Sequence, residues 1–215
     1  MRLKTLWSTF LGICLSSLSI HALSASMYNS YAPVVSPYTW VKSSCNRTFS
    51  KTPSTLIIGD SISDGWSGLI LDTIPNSWVI AKVGMQFYPA ISILSYVKHY
   101  PQWNSVQNIV IELGTNGYVT PQQIQQFMAE TDGRRVFFVI PQVPRVWGPE
   151  VVNLYESLPR IYPNVKLVYW NLISTIDGRE NPALFWQDGV HPNATGARLL
   201  VDSMYKAVME DSNVE

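Results

Sequence analysis

Two short segments hold the side chains best suited to covalent chemistry. Gly59-Asp60-Ser61 lies in the first third of the chain and Asp188-Gly189-Val190-His191-Pro192-Asn193 near its end. A serine hydroxyl is a poor nucleophile until a base takes its proton. His191 is the base that the sequence offers. Of the three histidines, His21 falls in a leader-like segment and His99 sits in Lys98-His99-Tyr100-Pro101, at an expected helix end. An imidazole also needs a fixed tautomer, and Asp188, three residues before His191, is spaced to accept from its far nitrogen. A tetrahedral oxyanion would need donors. The expected ones are the backbone N–H groups of Ser61 and Gly84 and the side-chain amide of Asn116 in Gly114-Thr115-Asn116-Gly117. Taken singly, each block has a plainer use: a helix N-cap, a strand end, a turn, a structural histidine. Taken together and in this order, they read as Ser61, Asp188 and His191 performing acyl transfer.

Five short apolar segments are placed to carry these residues. Thr55–Ile58, Ser77–Val83, Val106–Leu113, Arg134–Ile140 and Val165–Trp170 read as strands rich in β-branched residues. Between and after them, helices are expected from near Ser63 over Trp66–Leu71, and over Tyr88–Tyr100, Gln122–Thr131, Pro149–Tyr162 and Thr195–Met209. Strand and helix alternate, which predicts a three-layer α/β/α domain around a five-stranded parallel sheet with right-handed crossovers. Ligands of such sheets sit at the carboxyl ends of the strands, where Ser61, Gly84 and Gly114–Gly117 fall.

With 215 residues the chain is long enough for one domain with a substantial core. Its 15 basic and 15 acidic residues balance, and no basic stripe marks a nucleic-acid partner. The beginning reads as a signal peptide over residues 1–24: Arg2 and Lys4, an uncharged apolar run over Leu6–Ile20, then small residues at Ala22, Ser24, Ala25 and Ser26. Export to the periplasm or beyond the cell is therefore expected, with an uncleaved membrane anchor as the second reading. Cleavage would leave 13 basic against 15 acidic residues and Cys45 as the lone cysteine, without an internal disulfide. Residues 25–52, with Pro33, Pro37 and several Tyr and Ser, show no helix or strand period and read as an extended arm. The domain proper is expected over 53–210, with a frayed tail at 211–215.

Gly59-Asp60-Ser61, Gly84, Gly114-x-Asn116 and Asp188-x-x-His191 stand in the order of the SGNH hydrolase superfamily, also called GDSL esterases, and the sequence resembles that family over about Thr55–Met209. The resemblance implies a flavodoxin-like sheet and serine ester chemistry without a metal or cofactor. A narrower similarity runs through Val83-Gly84-Met85-Gln86, Leu113–Gly117, Val143-Pro144-Arg145-Val146-Trp147 with Asn153, and Asp188–Pro192. It is to the extracytoplasmic SGNH domains of peptidoglycan and polysaccharide O-acetyltransferases, and places Arg145 and Trp147 beside the cleft, either as substrate-binding residues or as loop packing with Arg145 in a local ion pair. Those domains usually follow a multi-span membrane module in the same chain. Here the expectation is either a separate membrane protein as acyl donor or an esterase working alone, as a monomer, on acetylated envelope carbohydrate. A lipase or thioesterase, and a carbohydrate-binding domain without turnover, are the other readings.

Overall fold

The computed structural model describes residues 45–48 and 50–210. The expected signal peptide, most of the arm and the tail lie outside the described residues. Among the described residues six strands make one sheet: β1 (Cys45–Thr48), β2 (Thr55–Gly59), β3 (Ser77–Ala81), β4 (Asn108–Glu112), β5 (Arg135–Val139) and β6 (Val165–Val168). Their order across the sheet is β1-β3-β2-β4-β5-β6. From β3 through β6 every neighbour is parallel, as the alternation of strand and helix predicts. The addition is β1, which pairs antiparallel with β3, Cys45 opposite Ala81 and Thr48 opposite Trp78. Part of the expected arm is thus an edge strand. Backbone pairing to β3 specifies it, and an edge needs no apolar alternation.

Each central strand is buried along its whole length because helices cover both faces. Successive side chains point to opposite sides. Leu56, Ile58, Ile109, Ile111 and Phe138 pack on one face beneath α3 (Tyr88–Val97), α4 (Pro121–Ala129) and α5 (Gly148–Ser157). Ile57, Val79, Val110 and Phe137 pack on the other beneath α2 (Ser67–Thr73) and α7 (Ala194–Glu210). Each fully buried Val, Leu, Ile or Phe stabilises the fold by roughly 1.5–3 kcal/mol, so these two layers hold the strand ends that carry the polar residues.

Several boundaries differ from those expected, for local reasons. The helix expected to begin near Ser63 is two: α1 (Ser61–Gly65) and α2, broken at Trp66. Asp60 caps α1, its carboxylate accepting from the Ile62 amide at 3.0 Å, so the helix starts at Ser61 itself. Thr120 and Gln123 form a capping box that, with Pro121 in the first turn, sets the start of α4. Short pieces follow β6: α6 (Trp170–Ile173) and a two-residue hairpin, β7 (Thr175–Ile176) with β8 (Arg179–Glu180). They are too brief to leave a period in the sequence.

Candidate active site

The crossover from β2 leads to β3 on one side of it, while the chain leaving β3 returns to β4 on the other. That reversal opens a crevice at the carboxyl ends of β2 and β4. Ser61 follows β2 and Thr115-Asn116 follow β4, so both reach the crevice from its two walls. A cleft of about 240 Å³ lies there, with Asn116, Arg145, Trp147 and His191 in its walls beside Ser61.

Ser61 Oγ lies 2.8 Å from His191 Nε2. His191 Nδ1 lies 2.8 Å from Asp188 Oδ2. An ionised carboxylate only accepts, so Nδ1 carries the ring proton and Nε2 is left to accept from the serine hydroxyl. The other carboxylate oxygen, Asp188 Oδ1, accepts from the backbone amides of Val190 and His191, each at 2.9 Å. Burial pushes Asp188 up, but those two amides and the imidazole outweigh it and hold the carboxyl below its ordinary value.

The loop that presents Asp188 and His191 is tied at many points. Trp186 N donates to His191 O, Gly189 N to Trp186 O and Asn193 N to Leu184 O, all between 2.9 and 3.0 Å. Gly189 has φ +67, a conformation that favours glycine. Asn193 caps α7 by accepting from the Thr195 and Gly196 amides. A Cβ on Gly196 would collide with the Leu184 carbonyl, so only glycine lets α7 approach the loop this closely. Trp66 Nε1 donates to Pro192 O at 3.2 Å. This bond links the helix pair behind Ser61 to the residue after His191.

Behind the serine is an acidic layer that residue types alone did not single out. Asp60 is fully buried; its Oδ2 accepts from Asn116 Nδ2 at 2.8 Å, which joins the β2 and β4 loops. Glu112, at the end of β4, accepts from the amide and hydroxyl of Ser63 at 3.2 and 2.9 Å. Gly59 makes room for this layer, since a Cβ there would overlap Ser63. The available signal is Glu112 itself, one carboxylate directly after the apolar run Ile109-Val110-Ile111. Burial raises Asp60 from 3.8 to about 6, against the opposing pull of the Ile62 amide, Thr115, His191 and Asn116. Burial, reinforced by the negative charge of Asp60, pushes Glu112 well above its ordinary value.

Both shifts mean that the native protein holds protons which the unfolded chain releases. The associated stability is fully present below the unfolded values of 3.8 and 4.5, and is lost as pH rises through about 6 and beyond. Glu112→Gln is therefore expected to melt about 3 °C or more above the wild type at pH 8. The difference should shrink toward pH 4, and a thermal melt across pH reads it. A difference independent of pH would mean that the Glu112 charge is not its origin.

The other expected residues fall close to this centre. Asn116 lines the cleft; besides Asp60, its Nδ2 has the Met85 carbonyl at 3.4 Å, a long contact. Gly84 sits one residue before Met85, in a turn closed by Met85 N donating to Lys82 O at 3.0 Å, with φ +73. It is not one of the residues lining the cleft with Ser61. Arg145 and Trp147 do line it, and Trp147 packs against Tyr118 with ring centroids 6.1 Å apart. Among the described residues no helix is long and apolar enough to cross a membrane. Nor are three or more His, Cys, Asp or Glu grouped there to hold a metal ion.

A doubly wound sheet with a serine on its first crossover and an imidazole on the loop before its last helix is the fold class of the SGNH, or GDSL, hydrolases, which this sequence resembles. Within that class it is similar to the O-acetyltransferase OatA of Staphylococcus aureus (strain NCTC 8325), with 31% identity over 159 residues. Those residues are 74% of this chain and 25% of OatA, so the chain spans about a quarter of the length of that relative. Among solved structures it is similar to the C-terminal catalytic domain of the Streptococcus pneumoniae peptidoglycan O-acetyltransferase A, solved with a methylsulfonyl adduct. The TM-score is 0.65 at 18% identity, over 75% of this chain and 96% of that one. A member of the lipolytic G-D-S-L family from Veillonella parvula shares the fold, with TM-score 0.58 and 15% identity over 72% of this chain and 97% of that one. No family model matches the chain.

Proposed function

We propose that the chain is an exported serine esterase or O-acetyltransferase that handles acetyl esters of envelope carbohydrate. The observation that carries this reading is the unbroken relay from Ser61 Oγ through His191 to Asp188, two bonds of 2.8 Å each. Similarity to OatA supplies the O-acetyl group and similarity to the Streptococcus pneumoniae peptidoglycan O-acetyltransferase supplies the envelope carbohydrate; the leader-like residues 1–24 supply the export.

The mechanism has two halves. Ser61 Oγ attacks the acetyl carbonyl as its proton passes to His191 Nε2. Asp188 stabilises the imidazolium through Nδ1. The carbonyl oxygen becomes an oxyanion held by the Ser61 backbone N–H and the Asn116 amide, both in the cleft wall; the expected third donor, the Gly84 N–H, lies outside that wall and would have to approach on binding. For Asn116, Asp60 anchors one N–H, and the other, in long contact with Met85 O at 3.4 Å, is left for the oxyanion. Each such donor is worth roughly 10²–10³ in rate. Collapse breaks the ester C–O bond, and His191 returns its proton to the departing sugar oxygen. An acetyl-serine remains. Water or a second sugar hydroxyl then attacks it, giving its proton to His191, and Ser61 is released.

Arg145 and Trp147 serve as substrate-binding residues in this reading. A cleft of about 240 Å³ suits an acetyl group with part of a sugar ring better than a long acyl chain. The test is rapid quenching during turnover of an aryl acetate, followed by intact-mass analysis. One acetyl group is expected on Ser61, passing to glycan or to water when each is supplied. Turnover without any acetylated enzyme would overturn the mechanism. A rate that climbs with acyl chain length would move the chain to the lipase or thioesterase class.

A further inference from the structure

Arg145 occupies an unusual electrostatic position. It lines the cleft with Ser61 and His191, is exposed, and makes no ion pair or side-chain hydrogen bond among the described residues. The other ionisable side chains in the cleft wall are Asp188 and His191, whose imidazole is neutral in this arrangement. Asp188 is already engaged by His191 and by two backbone amides, so its charge is met within its own loop. Glu180 lies close to Gly189, as does Pro144 next to Arg145, yet Glu180 makes no ion pair with the guanidinium. The cleft therefore presents one unmatched positive charge beside the nucleophile.

The backbone around Arg145 is ordered by its own bonds rather than by the side chain. Arg145 N donates to Val143 O and Gly148 N to Arg145 O, both at 2.9 Å. A Cβ on Gly148 would lie 2.6 Å from the Val143 carbonyl, so this loop closes tightly on itself. The guanidinium contributes nothing visible to holding it. Beside it stands an aromatic wall. Trp147 and Tyr118 are tilted at 57° to one another, and Tyr118 is 52% exposed. The Trp147 indole N–H is buried without an acceptor, so packing rather than hydrogen bonding sets the ring. A planar, permanently charged fork next to aromatic rings suits a sugar that carries an oxyanion: the ring stacks and the fork takes two oxygens.

We infer that Arg145, with the wall of Trp147 and Tyr118, binds an anionic group on the glycan, so that the cleft selects acyl esters of acidic sugars over neutral ones. The inference deepens the proposed reaction on carbohydrate esters and rests on it for the ester. The anion itself is a carboxylate or a phosphate on the sugar.

Calorimetric titration of the full chain with three non-acylated probes separates these outcomes. The probes are an oligouronate, a neutral oligosaccharide of equal length and a phosphate-bearing oligosaccharide. An anionic probe is expected to bind about tenfold more tightly than the neutral one, an advantage that falls with added salt. Arg145→Gln should remove that advantage and Arg145→Lys should keep part of it, because lysine retains the charge but not the fork. Tighter binding of the oligouronate assigns a carboxylate; tighter binding of the phosphate probe assigns a phosphate. Equal binding of charged and neutral probes, or a preference that survives Arg145→Gln, overturns the inference. Binding is read without turnover. An absence of aryl acetate hydrolysis in the wild type would thus count against the ester chemistry alone.

Discussion

Ser61→Ala is expected to lower hydrolysis of a short aryl acetate by about 10⁴-fold or more and to abolish acetylation of the protein. Among the described residues the Ser61 hydroxyl has one hydrogen-bond contact, with His191 Nε2 at 2.8 Å. Removing it deletes the proposed nucleophile, while Asp60 still caps α1 through the Ile62 amide. Most of the fold's stability resides in the two apolar layers, so the melting temperature should move by no more than about 3 °C. Steady-state rates and a thermal melt on the same sample separate loss of chemistry from loss of fold. Retained hydrolysis by a correctly folded variant would remove Ser61 from the mechanism.

Asp188→Asn is expected to be nearly as damaging, with a loss on the order of 10³–10⁴ in kcat. The geometry explains why a change of one atom matters. Asp188 Oδ1 accepts from the Val190 and His191 amides. In the variant the amide oxygen must take that position, or two backbone donors lose their acceptor. The new NH₂ then faces His191 Nδ1, where the aspartate presented an acceptor. To avoid opposing two donors, the imidazole moves its proton to Nε2. It can no longer accept from Ser61, and the base is lost with little change in shape. The aspartate side chain is 47% exposed and the histidine 42%, so water competes for both and the loss stops short of that for Ser61. A kcat within tenfold of the wild type would show that Asp188 does not set the tautomer. Nδ1 and Nε2 proton shifts in labelled protein would report the change directly.

The parallel sheet is readable from the sequence because its strands are buried on both faces. Such strands appear as continuous apolar runs, as in Leu56-Ile57-Ile58 and Ile109-Val110-Ile111. The edge strand β1 is not, since one partner and a solvent side impose no such run. The same logic divides the site. Serine, histidine and asparagine beside glycine-bearing turns announce themselves by type and spacing. Asp60 and Glu112 were harder to read. A carboxylate at a strand end looks solvent-exposed until the sheet and helices close over it.

What sequence alone determined is local: which residues end strands, which glycines permit positive φ at the turns, and which hydroxyl, imidazole and carboxylate are available. Distances between separate elements were decided by tertiary structure. Ser61 and His191 are 130 residues apart in sequence and 2.8 Å apart in space. Nothing in either segment encodes that separation. It follows from strand order, from α7 packing tightly enough to need Gly196, and from the bond between Trp66 and Pro192. The unmatched charge of Arg145 is likewise a tertiary property, because only the folded chain shows which carboxylates come within reach of a guanidinium and which do not.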